Sequence, residues 1–317
     1  MWKETQLELL KQEIETLLAP LSNSFGFRDL IKEPLTKERR VLSPHEMSDW
    51  PWPLIPLLVC EAICGHYKYA IPGAAALQLF LTAGDVFDDI EDADNSDSLS
   101  AKYGPAVATN IATTLLMLAE KAITRLKKRG VANLVVFQII DVVNSYYIKA
   151  CTGQHLDLYF DPEIVGAEDA YFQVLDMKSA SQIECACKVG ALLAKAKKEL
   201  VDIFAEFGHN LGISSQIAND IQGFINGRDI SKNKIMLPVI YVLNQTDNKT
   251  NLELRRLLHN QSGSTHDAAQ IRDLLFHTGA IQYTMIKMEY YRQLARDILV
   301  KAQTAGANVE RLKVFMD

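Results

Sequence analysis

Residues 77–92 read Leu-Gln-Leu-Phe-Leu-Thr-Ala-Gly-Asp-Val-Phe-Asp-Asp-Ile-Glu-Asp. This stretch indicates a helix that carries a candidate metal-binding group of carboxylates. Asp88 and Asp92 are four residues apart, so a helix places their carboxylates on one face. That face continues an apolar stripe, where carboxylates need a positive partner. No Lys or Arg follows before Lys102, so we expect a divalent cation such as Mg²⁺. Taken alone, such a run is more often a solvated acidic helix end.

A second polar cluster begins at Gln216-Ile-Ala-Asn-Asp220, where an amide and a carboxylate interrupt an apolar helix. A basic segment, residues 228–234, follows it. Oxygen ligands for metal ions and cationic donors for phosphates are what a metal–diphosphate site needs. Between the two clusters lie Gly153-Gln-His-Leu-Asp157 and Lys178-Ser-Ala180. Each segment alone has an ordinary structural explanation, and the combination makes the pattern informative.

The pattern predicts an all-α fold, because helical spacing of apolar residues is widespread and strict alternation is scarce. Pro and Gly mark helix boundaries at 51–56, 72–73, 104–105 and 161–162. We expect an N-terminal helical extension over residues 1–45 and one helical domain over residues 46–317. The polar stretch 244–267 is predicted to hold a surface loop.

Composition excludes several classes of function. A net charge of -6 lacks the basic footprint of nucleic-acid binding, so we expect no nucleic-acid partner. No uninterrupted apolar run of about 18 residues is visible, which predicts no membrane span. The five cysteines are odd in number and sit in apolar patterns, which favours free thiols in a reducing cytoplasm.

Taken in order, the four polar segments resemble the polyprenyl synthetase family of trans-isoprenyl diphosphate synthases, over roughly residues 50–245. The resemblance implies a single-domain antiparallel helical bundle of the class I isoprenoid synthase type, with the acidic motifs facing each other across a central apolar pocket. It also implies three Mg²⁺ ions and a homodimer. The implied metal ligands are Asp88, Asp89, Asp92, Asn219 and Asp220. The implied diphosphate-binding residues are Gln154, Lys178, Gln216, Arg228 and Lys234, and the implied catalytic residues are Asp88, Asp92, Lys178 and Lys234.

Two departures from the family pattern concern the acceptor. The family's Gly-Lys-Arg-x-Arg-Pro segment, which binds isopentenyl diphosphate, is matched here by residues 51–56, Pro-Trp-Pro-Leu-Ile-Pro, without a cation. An Arg-Arg pair after the first motif is matched by Asp97-Ser98. An unpaired second diphosphate is prohibitively costly to bury, so we expect that isopentenyl diphosphate is not the acceptor.

The second motif also departs, since Asn219 and Gly223 occupy its outer aspartate positions. Its start looks like the Asn-Ser-Glu metal motif of terpene synthases, although the expected glutamate is Gly227. The first acidic motif and the segment from Asp229 to Lys234 also look like the corresponding segments of the bacterial isoprenyl transferases that modify a tryptophan in competence pheromones.

These observations predict a Mg²⁺-dependent enzyme that ionises a C15 to C20 allylic diphosphate, farnesyl or geranylgeranyl. Small Ala83 and Gly84 leave room for the chain and Phe80 forms its floor, although the same residues suit ordinary helix packing. We expect internal capture of the cation, as in terpene synthases. The alternatives are transfer to an acceptor such as a peptide tryptophan, a short-chain polyprenyl diphosphate synthase, and the non-catalytic partner subunit of such a synthase.

Overall fold

The computed structural model describes residues 2–38, 40–43, 52–93, 95–159, 167–226, 236–245, 248–259 and 265–316. Helices contain most of these residues, and the described ranges hold no strand. The all-α prediction is therefore confirmed.

Fourteen α-helices occur in the described ranges, joined by short turns and 3₁₀ segments. They are α1 Trp2–Leu18, α2 Phe27–Leu35, α3 Ile55–Cys64, α4 Ile71–Asp92, α5 Leu99–Tyr103, α6 Pro105–Thr124, α7 Asn133–Leu158, α8 Ala167–Val174, α9 Ser181–Leu193, α10 Lys198–Ile225, α11 Leu237–Gln245, α12 Asn248–His259, α13 Thr265–His277 and α14 Ala280–Thr304. A π-helix, Leu175–Ala180, connects α8 to α9. As predicted, prolines mark the starts of helices: Pro56, Pro72 and Pro105 lie at the first or second position of α3, α4 and α6, where the missing N–H costs no helical hydrogen bond.

The first compact unit comprises residues Met1–Ile148, Gln182–Gly208 and Arg296–Asp317. Helix α4 is its central element and packs most extensively on α6, with further contacts to α1, α2, α3 and α5. Residues 71–80 are buried on every side of α4, which is typical of a helix enclosed by others. Charged side chains are therefore confined to its last two turns.

The second compact unit comprises Lys149–Ser181 and His209–Ala295. It holds two apolar clusters. One joins α10 to α11, α12 and α13 and includes Phe224, Val242, Leu254 and Leu275. The other joins α8, the π-helix, α10 and α11 and includes Tyr171, Leu175, Ile213 and Leu237. The second cluster fixes the segments that carry the predicted site residues of this unit.

The predicted boundary at residue 45 lies outside the described residues, so the domain division stays a prediction. Helices α1 and α2 belong to the same compact unit as α4. Within the polar stretch 244–267, helix α12 forms over Asn248–His259, and residues 246–247 and 260–264 lie outside the described ranges.

Three helical stretches are long and apolar enough to cross a membrane by length and composition alone: Lys68–Asp92, Pro105–Arg129 and Asn133–Leu158. In the first, 78% of the most apolar window is buried inside the structure, whereas in the third only 17% is. The apolar character of Lys68–Asp92 is explained by the central position of α4 in the first compact unit. The stretch Asn133–Leu158 instead leaves an exposed apolar face on α7.

Candidate active site

The first acidic motif forms the last two turns of α4, which ends at Asp92 and is followed by Ala93 in the left-handed conformation. Asp88, Asp89 and Asp92 are half-buried. Carboxylates near a helix C-terminus face the negative end of the helix dipole, which costs about 0.3–1 kcal/mol each. The end of α4 therefore requires positive charge.

The fold supplies that charge from the segment after α2. Lys37 Nζ lies 3.1 Å from Asp89 Oδ2, and Arg40 forms an ion pair with Asp85. Asn95 Nδ2 donates to Asp89 Oδ1 at 2.8 Å. The sequence-based argument that no cation lies near the motif was wrong, because it considered only neighbours along the chain. Both oxygens of Asp89 have protein partners.

The predicted chain-length residues lie one to two turns before the acidic motif. Phe80 and Ala83 are buried, and the Phe80 ring lies 5.1 Å from the ring of Tyr147, at 48°. A methyl group added at Gly84 would meet the Tyr147 hydroxyl at 3.8 Å, an ordinary contact. Tyr147 was missed by the sequence reasoning, because it reaches these residues from α7.

The segment 52–55, which the resemblance matches to the isopentenyl-binding cations of the family, belongs to the core of the first unit. Leu54 and Ile55 are completely buried, and the Trp52 ring packs 5.1 Å from that of Phe315. At the second departure, the Ser98 hydroxyl accepts from the Ala101 N–H and caps α5. Apolar packing and helix capping thus occupy positions where the resemblance requires cations.

The second polar cluster lies on α10, where Gln216 and Asp220 are one turn apart. Gln216 Nε2 donates to Asp220 Oδ1 at 2.8 Å, and the Tyr171 hydroxyl donates to Asp220 Oδ2 at 2.6 Å. Asn219 is exposed. Burial, followed by the Asp220 charge, raises the pKa of Tyr171 well above its ordinary value. Tyr171 was missed by the sequence reasoning; its position two turns before Lys178 was the only available signal.

Lys178 lies in the π-helix, an element that frequently occurs at functional sites. Its Nζ lies 2.8 Å from Asp157 Oδ2. Two glycines fix the backbone around it. A methyl group at Gly153 would lie 2.4 Å from the Lys178 amide nitrogen, and one at Gly212 would lie 2.6 Å from the Ala180 Cα. The π-helix is thus in backbone contact with α7 and α10.

Asp176 anchors the same π-helix. It accepts from Lys149 Nζ at 3.0 Å and lies 3.2 Å from His209 Nδ1. The hydrogen bond from His209, together with Lys149, lowers the pKa of Asp176 below its ordinary value, while burial opposes the shift. The sequence reasoning did not select Asp176, whose neighbours come from other helices.

Gln154 has an amide group whose nitrogen and oxygen are both buried and without a hydrogen-bond partner among the described residues. Buried amides are normally hydrogen-bonded, so this side chain needs a partner, such as a ligand or ion, that the described residues do not supply. Arg228 and Lys234, the remaining predicted diphosphate-binding residues, lie outside the described residues.

Among the described residues, a helical fold with two sets of acidic side chains and a lysine on a π-helix is the arrangement expected of a helical isoprenoid enzyme. The polyprenyl synthetase family model matches residues 53–275, and the chain belongs to that family. This confirms the resemblance seen in the sequence. Members of the family typically use Mg²⁺.

Two relatives show the range of activities in the family. Tryptophan prenyltransferase ComQ of Bacillus spizizenii is 29% identical over 226 residues, which cover 69% of this chain and 76% of the relative. Geranylfarnesyl diphosphate synthase of Aeropyrum pernix is 27% identical over 281 residues, which cover 84% of this chain and 87% of the relative. The relatives are thus prenyltransferases and isoprenyl diphosphate synthases.

Solved structures confirm the fold. Geranylgeranyl pyrophosphate synthetase from Pyrococcus horikoshii superimposes with a TM-score of 0.84 at 22% identity, covering 99% of this chain and 96% of that one. The predicted isoprenoid synthase fold is therefore correct.

Proposed function

We propose that this protein ionises an allylic prenyl diphosphate and transfers the prenyl group to an acceptor other than isopentenyl diphosphate. Family membership supports the ionisation. The observation that carries the choice of acceptor is the complete burial of Leu54 and Ile55 in an apolar core. A diphosphate at those positions would meet no cation from residues 51–56 themselves, and burying an unpaired anion is prohibitive.

The side chains present fit Mg²⁺, which prefers carboxylate oxygens together with substrate phosphate oxygens. We propose that Asp88, Asp89 and Asp92 and, on α10, Asn219 and Asp220 hold the metal, as three ions. Bound Mg²⁺ supplies neutralisation of the charge that develops on the leaving diphosphate. Among these residues, Asp89 must exchange a lysine partner for metal.

Cationic and amide side chains would bind the diphosphate itself. Lys178 is fixed by its π-helix and is held near Asp157, which it would exchange for phosphate oxygens. Gln154 offers a buried amide without a partner among the described residues. We propose that Gln216, Arg228 and Lys234 complete the set. Charge-assisted hydrogen bonds of this kind are about twice as strong as neutral ones, so they favour the anionic leaving group.

The prenyl cation has two candidate fates. Transfer to an aromatic acceptor, such as the indole of a peptide tryptophan, is favoured by the similarity to tryptophan prenyltransferase ComQ. Internal capture, as in terpene synthases, is favoured by Asn219 at the start of the second motif and by the apolar segment at 52–55. Internal capture was the first choice from the sequence and stays a prediction.

We propose that the prenyl chain of the substrate is C15 to C20, with Phe80, Ala83 and Gly84 setting its length.

A substrate panel tests the proposal. Purified protein with Mg²⁺ is given geranyl, farnesyl or geranylgeranyl diphosphate, each with and without isopentenyl diphosphate or a tryptophan-containing peptide. We expect diphosphate release from the two longer substrates, a prenylated peptide, and no effect of isopentenyl diphosphate. Terpene hydrocarbons would support internal capture instead. Elongated diphosphates would overturn the choice of acceptor, and a preference for geranyl diphosphate would overturn the chain length.

Lys37→Ala is expected to lower the Mg²⁺ concentration needed for half-maximal diphosphate release, by up to about fivefold, because Lys37 competes with metal for Asp89 and exposed ion pairs contribute up to about 1 kcal/mol. The effect should shrink at high salt. Lys32→Ala is the matched control, since Lys32 forms an ion pair with Glu15 at 2.7 Å, away from the motif. An unchanged or higher Mg²⁺ requirement in Lys37→Ala would contradict the competition.

We also propose that the chain forms a homodimer in the cytoplasm through the exposed face of α7. Leu134, Phe137 and Ile148 on this face are 70%, 68% and 67% exposed. An apolar helix face of this kind marks an interaction surface, and a self-complementary dimer is the commonest solution. The stretch 133–148 contains no Lys or Arg, which argues against a membrane surface. Fractionation of cells that express the protein tests its location.

Phe137→Glu is expected to weaken the dimer by at least about a hundredfold, because each copy would lose a buried aromatic side chain of about 1.5–3 kcal/mol. Sedimentation velocity across a concentration series measures the change. Leu252→Glu is the control, since Leu252 is 66% exposed on α12 in the other compact unit. A monomeric wild type, or a dimer that tolerates Phe137→Glu, would refute the interface.

A further inference from the structure

The carboxylate of Asp220 is held from two sides. The Tyr171 hydroxyl donates to Oδ2 at 2.6 Å and Gln216 Nε2 donates to Oδ1 at 2.8 Å. Gln216 is one turn away on the same helix, whereas Tyr171 is 49 residues away in sequence.

Tyr171 is itself rigidly placed. Its side chain is 4% exposed within the apolar cluster of α8, the π-helix, α10 and α11. Its ring meets that of Phe172 edge-on, with centroids 5.4 Å apart and planes at 79°. A hydroxyl donor on a fixed ring defines the direction of the carboxylate.

We propose that Tyr171 is a positioning residue that orients the Asp220 carboxylate for Mg²⁺. This inference rests on the proposed function, in which Asp220 holds metal. Groups that hydrogen-bond to a metal ligand fix its orientation, and removing one typically costs about 10- to 100-fold in metal affinity or activity. Gln216 fixes only the other oxygen, from a longer and more flexible side chain.

A comparable phenol–carboxylate pair in the same unit provides a control. The Tyr283 hydroxyl donates to Glu168 at 2.5 Å, and Lys287 Nζ lies 3.0 Å from the same carboxylate. Glu168 is outside the proposed metal and diphosphate set. Tyr283→Phe therefore removes an equivalent hydrogen bond without touching a proposed metal ligand.

The test measures Mg²⁺ dependence in the full-length protein. Calorimetry with Mg²⁺ and inorganic diphosphate, and diphosphate release from farnesyl and geranylgeranyl diphosphate, are compared in wild type, Tyr171→Phe and Tyr283→Phe. We expect Tyr171→Phe to raise the half-saturating Mg²⁺ concentration by about 10- to 100-fold, with a much smaller change in rate at saturating Mg²⁺. Tyr283→Phe should match wild type. An unchanged Mg²⁺ requirement in Tyr171→Phe would overturn the inference.

Two further substitutions keep the test decisive if Tyr171→Phe folds poorly. 4-Methylphenylalanine at position 171 fills the space of the hydroxyl without a donor, and 4-aminophenylalanine retains a donor. Only the 4-aminophenylalanine variant should return the half-saturating Mg²⁺ concentration to the wild-type value. An equal half-saturating Mg²⁺ concentration in the two variants would refute the positioning role. Failure of the proposed function is distinguishable, because the wild type would then show neither Mg²⁺-dependent binding of inorganic diphosphate nor diphosphate release.

Discussion

Asp88→Asn is expected to reduce diphosphate release by about a thousandfold at fixed Mg²⁺, while the protein stays folded. Asn has the same shape as Asp but lacks the charge that attracts Mg²⁺. A metal ion that stabilises the charge on a leaving phosphate lowers the activation free energy by several kcal/mol. Each 1.4 kcal/mol changes the rate by about tenfold. Asp92→Asn should behave similarly, because its carboxylate lies one turn further on the same face of α4.

The neighbouring acidic residues make the prediction specific. Asp97→Asn should leave the rate unchanged, since Asp97 is exposed beyond the end of α4. Asp89→Asn should cost less than Asp88→Asn, because Asp89 must give up its ion pair with Lys37 before it binds metal, which offsets part of the stabilisation that the metal contributes. Steady-state rates with farnesyl and geranylgeranyl diphosphate measure these differences. Equal effects of Asp88→Asn and Asp97→Asn would mean that the motif is only a solvated helix end.

Gly153→Ala is expected to destabilise the protein by about 3 kcal/mol, at the upper end of the usual cost of overpacking. The added methyl group would lie 2.4 Å from the Lys178 amide nitrogen and 2.7 Å from the Met177 carbonyl carbon. Both are backbone atoms, so no side chain can move to relieve the contact. The π-helix must shift away from α7, and it carries Lys178 with it. A displacement of about 1 Å in a substrate-binding group costs about a hundredfold in rate.

Gly84→Ala is the matched substitution for stability. Gly84 also lies inside a long helix, but among the described residues its added methyl group would have only the Tyr147 hydroxyl nearby, at 3.8 Å. Alanine is favoured over glycine in a helix interior by about 1 kcal/mol, so this variant should be stabilised. Thermal and denaturant unfolding should show a lower free energy of unfolding for Gly153→Ala than for wild type, and a higher one for Gly84→Ala. A Gly153→Ala variant as stable as wild type would show that the π-helix is not wedged against α7.

The local pattern of the sequence was sufficient to predict the helices and the position of the first acidic motif. Apolar spacing and the prolines at 56, 72 and 105 determine these features, because helical hydrogen bonds and side-chain periodicity act within four residues. The order of the acidic and basic segments was sufficient for the family. The complete burial of Ile55 agrees with the reading that the cation site had been lost from this segment.

Residues that act across long sequence distances were not predictable in this way. Lys37 and Arg40 reach the carboxylates of α4 from 52 and 45 residues earlier, and Tyr171 reaches Asp220 from 49 residues earlier. Spacing along a chain says nothing about such pairs. They form because burial of apolar faces brings separate helices together, and the polar groups on those helices must then find partners among whatever lies opposite.

The sequence by itself therefore determined an all-helical member of the polyprenyl synthetase family, with Asp88 and Asp92 on one helix face and no cation at residues 51–56. Only the tertiary structure decided how those groups are held. It placed Lys37 on Asp89, the Tyr171 phenol on Asp220, and the backbone of Lys178 against Gly153. The physical reason is that helix formation depends on neighbours in sequence, whereas the orientation of a carboxylate or a lysine depends on the packing of helices remote in sequence.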